Sequence, residues 1–354
     1  MIPNKIKYSI LIFSTLTVSA CSSFGYYMDL MAGHSELLEQ QKPVAEILAE
    51  KDTKPKLREL LETSQNIRNF ASKNLHLPEN DSYRTYADIK RPYAVWNVVA
   101  AKEFSVTPKK WCFLLVGCLS YKGYFSKEEA TAYAKELKKE GYDVYVAGAK
   151  AYSTLGWFDD PLLNTMMYKS EARRAGIIFH ELAHQVVYID DDSAFNEAFA
   201  TTVEQEGIRR WLAKKGKSNQ YKQYLANKKR DSELNKLLKE TRNELKNLYK
   251  KNLNDKKKRE AKKLIFLSMQ KKYQRLKKTW GGYNAYDKWM GQDLNNAHLL
   301  LIATYHELVP FFKHMLVKNN NELQKFYKSV KLFGELDKKI RKRKYTQFGV
   351  LVKK

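Results

Sequence analysis

His180, Glu181 and His184 stand in the spacing His-Glu-x-x-His, which lets one helix offer two imidazoles to a single metal ion. Positions i and i+4 lie one above the other on a helix face, so the two rings point the same way. Glu181 falls beside them. There a carboxylate can take a proton from a metal-activated water and pass it to a leaving amine. Ile177, Ile178, Leu182, Val186 and Val187 around the motif supply the apolar contacts that seat such a helix in a core. The chemistry expected of this arrangement is zinc-dependent hydrolysis.

Catalytic zinc takes three protein ligands and keeps one position exchangeable. Where a third His follows the second at +6, a Gly at +3 lets the chain turn sharply; here those positions hold Asp190 and Val187. The missing Gly argues against a tight return. The stretch from Asp192 to Glu204 reads instead as a second helix, capped by Asp192 or Ser193 and running to about Leu212. Packed antiparallel on the first, it brings Glu197 towards the His pair. Glu197 is thus the preferred third ligand, with Asp190 the alternative. Glu204, two turns further along the same face, either orients a ligand His from behind or is a plain surface carboxylate.

Three separated blocks carry a family resemblance: Ala151-Tyr152-Ser153-Thr154-Leu155-Gly156-Trp157-Phe158-Asp159-Asp160-Pro161, Phe179 to Gln185, and Phe195-Asn196-Glu197-Ala198-Phe199-Ala200. Together they resemble the bacterial "putative aminopeptidase" family of HExxH zinc metallopeptidases, within the gluzincin-like zincins. The resemblance runs from near Cys21 to Asn295-Asn296-Ala297, and the Lys-rich region between is less distinctive. It implies a zincin-like α+β fold and one Zn2+ per chain, held by His180, His184 and Glu197, with Glu181 as catalytic base.

The elements that position these residues are also readable. Gly141 to Gly148 alternates apolar and polar as a strand should, and a second extended run follows through Tyr152 to Leu155. An edge strand next to the metal offers unpaired N–H and C=O groups to an extended peptide. Tyr152, Ser153, Thr154, Leu155 and Gly156 are the candidate edge, the alternative being a structural turn closed by Gly156 and Pro161. Peptidases of this class use a Tyr or His from the C-terminal part to hydrogen-bond the developing oxyanion, and Tyr305 is the candidate here. An aminopeptidase also needs acids to receive the substrate's α-ammonium, for which Glu204 and Asp159 are considered.

The N-terminus predicts the compartment. Lys5 and Lys7 precede an apolar run from Ile10 to Val18, then Val18-Ser19-Ala20-Cys21. This is the pattern of a bacterial lipoprotein signal peptide, residues 1–20, with lipidation of Cys21. The apolar run is short of the roughly 20 residues a spanning helix needs, so the expectation is a lipid anchor. Ser22 after the Cys favours the outer membrane, facing the periplasm, if the cell is diderm. Cys112 and Cys118 are left for a disulfide or for two buried thiols. Six residues apart in one strand they would be roughly 20 Å apart, so a disulfide requires a turn, which Gly117 can provide.

Segment by segment, the expectation is a helical part over 21–90 and a catalytic core with sheet and metal helices over 91–213. A Lys-rich helical hairpin over 214–279 and a helical C-terminal part over 280–354 follow, with a break at Pro310. The formal charge of +25 is concentrated, since residues 209–278 hold 26 basic residues against 6 acidic ones. Nucleic acid is an unlikely partner of an exported chain whose cations are mostly Lys, because forked phosphate recognition favours Arg. A solvated helix face, or contact with anionic lipid beside the acyl anchor, fits better. The overall reading is a lipid-anchored zinc aminopeptidase of the cell envelope. The alternatives are an envelope endoprotease for membrane-protein quality control, or a non-catalytic lipoprotein scaffold with a structural metal.

Overall fold

The computed structural model describes residues 26, 28–33, 35–113, 117–151, 154, 158–168, 170–190, 192–300 and 308–349. The expectations for residues 1–20, Cys21, Tyr152, Ser153, Leu155, Gly156 and Tyr305 lie outside them. The fold is mixed α+β, with helices prevailing and three small sheets.

Residues 28–33 and 35–39 are helical. Strand β1 (Lys42–Pro43) then interrupts what reads in the sequence as continuous helix, pairing antiparallel with β2 (Thr85–Ala87). Pro43 cannot donate a ladder hydrogen bond, and β1 accordingly sits at a sheet edge. Helices α1 (Val44–Ala49) and α2 (Pro55–Leu75) follow, and β8 (Leu162–Leu163) pairs parallel with β2 on its other side.

The second sheet is antiparallel in the order β6-β3-β7, from β3 (Val95–Lys102), β6 (Lys122–Tyr124) and β7 (Tyr142–Ala149). Alternation along β3 divides its faces. Val98 and Ala100 pack on α3 (Lys127–Lys139), while Val99 and Ala101 pack on Ala297, Leu300 and Tyr121. Strands β4 (Trp111–Phe113) and β5 (Gly117–Leu119) form a hairpin whose register sets Cys112 opposite Cys118. Their sulfurs are bonded, with Cα atoms 3.8 Å apart.

The main core is helical. Helix α4 (Glu171–His184) carries Ala172, Ala175, Ile178, Phe179, Leu182 and Ala183 buried at spacings of three and four. It packs on α2 and on α5 (Ser193–Lys214), whose Phe195, Phe199 and Val203 face inwards. Helices α6 (Ser218–Tyr249) and α7 (Asp255–Thr279) make up the Lys-rich stretch. Leu234, Leu237, Leu238 and Leu245 on one meet Phe266, Met269 and Tyr273 on the other, around a core of their own. Arg259 binds both carboxylate oxygens of Glu103, and Lys262 binds Asp143 at 2.6 Å, so part of the basic charge ties the hairpin to the second sheet.

The chain closes with the short α8 (Asp287–Met290), then α9 (Val309–Lys318), α10 (Leu323–Gly334) and α11 (Lys338–Gln347). Pro310 lies in the first turn of α9, where its missing N–H costs nothing. No helix of the described residues is long and apolar enough to cross a membrane.

Candidate metal centre

The site is built on the α4–α5 crossing, and small residues let the helices approach. A Cβ at Gly207 would meet Phe179 Cδ2 at 2.5 Å and Leu75 Cδ1 at 2.8 Å; one at Gly176 would meet Ile208 Cδ1 at 3.0 Å. The ends of the pair are tied. Trp211 donates to Glu171 Oε1 at 2.8 Å, and Lys217 forms an ion pair with the other oxygen. At the connection, Asn196 accepts from the Ile189 N–H and donates to the Ile189 carbonyl, both at 2.8 Å. Asp192 caps α5 by accepting from Phe195 N–H and is itself held by Arg341 of α11 at 2.7 Å. The residue after His184 is anchored too, because Gln185 bonds Asn80 and Ser82 in a turn that buried Arg68 holds through three carbonyls.

This frame brings His180, His184 and Glu197 together, with one ligand atom from each within 4.8 Å of the others. His180 Nε2 lies 3.3 Å from Glu197 Oε2, and His184 Nε2 lies 3.7 Å from Glu197 Oε1. Ligand atoms about 2.0–2.1 Å from a tetrahedral zinc are about 3.3–3.4 Å from one another, so these spacings suit a single ion. The donor set, two neutral-capable imidazoles and a carboxylate, fits zinc chemically as well. Among the described residues no other such cluster occurs, and Asp190, exposed in the turn before α5, is not part of it.

Glu204 lies behind this set. Its Oε2 is 3.3 Å from His180 Nδ1, the ring nitrogen facing away from Glu197, and its side chain is 17% exposed. Its Oε1 is engaged by Lys228 at 3.2 Å and by the Tyr224 hydroxyl at 3.5 Å, both from α6. Both oxygens of Glu204 are thus engaged within the protein. Thr154 N–H donates to the buried Asp160 carboxylate at 2.9 and 3.1 Å, and its hydroxyl bonds Phe158. This N–H is therefore engaged within the protein.

The electrostatics draw positive charge to the centre. Burial lowers the His180 pKa, but hydrogen bonds to Glu197 and Glu204 overcome it and raise the group to about 10. Burial, reinforced by the charge of His180, takes His184 down to about 4. Glu204 resists its own burial through His180 and Lys228 and falls to about 2. His180 thus lies between two carboxylates, Glu197 at Nε2 and Glu204 at Nδ1.

Two tyrosines not singled out from the sequence border the site. Burial and then the charge of Glu197 push the Tyr121 phenol up, with Tyr188 and Glu181 adding to it. Tyr188 is exposed, with its ring 6.3 Å from that of His184. Tyr188 follows His184 at i+4 and was legible in principle. Tyr121 and Lys228 carry no sequence signal, being one of 23 Tyr and one of many Lys.

Two other histidines, His298 and His76, serve structure. His298 is buried and stacked on Tyr145 at 4.0 Å, while His76 ends α2 in a left-handed conformation.

No curated protein and no solved structure matched the chain. A family model described as "Putative aminopeptidase" matches residues 25–345, and the chain belongs to that family.

Proposed function

We propose that the protein is a zinc-dependent aminopeptidase of the bacterial cell envelope, anchored by lipid on Cys21 and facing the periplasm from the outer membrane in a diderm cell. The observation that carries the reading is the convergence of His180, His184 and Glu197 on one point, with Glu181 next in sequence to a ligand. His180, His184 and Glu197 would hold a zinc ion there, which when bound would supply Lewis-acid polarisation of the scissile carbonyl and of the attacking water. Glu181 accepts the water's proton and returns it to the leaving amine. Tyr121, whose phenol is raised by burial and by the charges of Glu197 and Glu181, is our candidate donor to the oxyanion as it develops. Glu204 fixes the His180 ring through Nδ1 and keeps Nε2 directed at the ligand point. Backbone contacts to a peptide fall to the segment from Tyr152 to Gly156, other than the N–H of Thr154. The family name favours exopeptidase over endoprotease action.

Glu181→Gln tests the reading. The variant is expected to keep its zinc and its fold and to lose hydrolysis of aminoacyl-p-nitroanilides by about 10²–10⁴-fold. Cleavage of N-blocked peptides by the wild type, with no release from free N-termini, would turn the reading towards an endoprotease. A wild type that binds metal yet hydrolyses neither would favour the scaffold with a structural metal.

A further inference from the structure

The Lys-rich hairpin contributes to the metal centre. Its first helix, α6, is rooted in the main core, since Tyr221 and Tyr224 pack against the cluster that contains Phe179 and Phe199. From this root Lys228 reaches Glu204, its ammonium 3.2 Å from Oε1 and 5.5 Å from the centre of the Tyr224 ring. The other oxygen of Glu204 is on His180 Nδ1. A continuous chain of contacts thus runs Lys228, Glu204, His180 to the ligand point. The contact is no loose surface pair, because the two side chains are 29% and 17% exposed.

We propose that Lys228 is a positioning residue that sets the metal affinity of the site, drawing Glu204's negative charge away from His180. This rests on the metal-site reading above. A carboxylate that accepts from a ligand imidazole strengthens that ligand, since it stabilises positive charge on the ring. A cation on the far oxygen of the same carboxylate withdraws part of that effect and adds its own repulsion to a divalent ion. The site then holds its ion less tightly and leaves it more electron-poor, hence a stronger Lewis acid. Tyr224 supports the arrangement by donating to the oxygen that Lys228 uses.

The two carboxylate partners therefore act with opposite sign. Zinc affinity of the full chain is measured by competition with a chromophoric chelator. Glu204→Gln is expected to weaken binding about 10–100-fold, the usual cost of losing such a partner. Lys228→Met is expected to tighten binding on the order of tenfold, and Lys228→Arg, which keeps the charge, to leave it at the wild-type value. Melting curves in excess chelator check that each variant folds. Should Lys228→Met not fold, Lys228→Gln keeps a hydrogen-bond donor without the charge and must show the same tightening. Unchanged or weakened affinity in the uncharged variant would reduce Lys228 to a peg that holds the hairpin, overturning the proposal while leaving the metal site intact. A wild-type chain that takes up no zinc overturns both readings.

Discussion

Glu197 Oε2 and His180 Nε2 lie 3.3 Å apart across the α4–α5 crossing, the spacing of two neighbouring ligands on one tetrahedral ion. The two residues belong to different helices, and their meeting adds a third donor to the His pair, completing a triad that could hold a metal ion.

Removal of Glu197 is therefore expected to abolish stable metal binding. In Glu197→Ala the affinity falls by more than the ~10–100-fold that loss of an outer hydrogen-bond partner costs. Elemental mass spectrometry on protein lacking residues 1–21 reads the result as zinc per chain. Asp190→Ala, at the position the structure leaves out of the site, is expected to keep its metal.

Tyr121→Phe separates a donor to the oxyanion from a packing residue. The ring is retained, so its contacts with Val99 and Ala297 survive. Loss of the hydroxyl is expected to lower kcat about 10²–10³-fold at unchanged zinc content. Wild-type kcat would assign the ring to the core and direct attention to Tyr305.

The closeness of the helices has a stability counterpart. A methyl group at Gly207 would fall 2.5 Å from Phe179, which directly precedes His180. Gly207→Ala is expected to cost about 1–3 kcal/mol through forced movement of the ring. Chemical denaturation measures the loss, and zinc affinity should weaken with it. Gly216→Ala tests something different, since the residue has open space but φ of +65° and touches no part of the site; its metal affinity should stay unchanged.

Acid should weaken the fold through Glu206. Burial pushes this carboxyl up, but hydrogen bonds from Arg209 and Arg210 hold it below its ordinary 4.5. A group with a depressed folded pKa contributes stability above its unfolded value and loses it as pH falls through the folded one. The contribution of Glu206 is thus present at neutral pH and is lost progressively as pH falls below about 4.5. In chelator, the melting temperature is expected to drop less steeply between pH 5 and 3 for Glu206→Gln than for wild type.

Much of the architecture can be read from local pattern. The helix bearing His180 and His184 follows from apolar residues at spacings of three and four, and the strand at Tyr142–Ala149 follows from alternation. The Lys-rich stretch gives two helices for the same reason. The interruption at Lys42–Pro43 was not legible, because a two-residue strand exists only through its partner at Thr85 and Tyr86. Glu204 could be placed on the face of Glu197 by counting turns. That its Oε1 is engaged by Lys228 and Tyr224 depends on a helix that begins fourteen residues later.

What the sequence determines alone is whatever the backbone's own periodicity can carry. His180, Glu181 and His184 are set relative to one another by helix geometry, which is the same in any surroundings. What only the tertiary structure decides is the choice among residues that periodicity treats alike: Glu197 rather than Asp190 beside the His pair, and Lys228 among the many lysines. Those choices depend on how closely two helices cross and which face of a sheet lies nearby. Close contacts across dozens of residues are fixed by packing volumes at positions such as Gly207 and Phe179, and no local spacing encodes them.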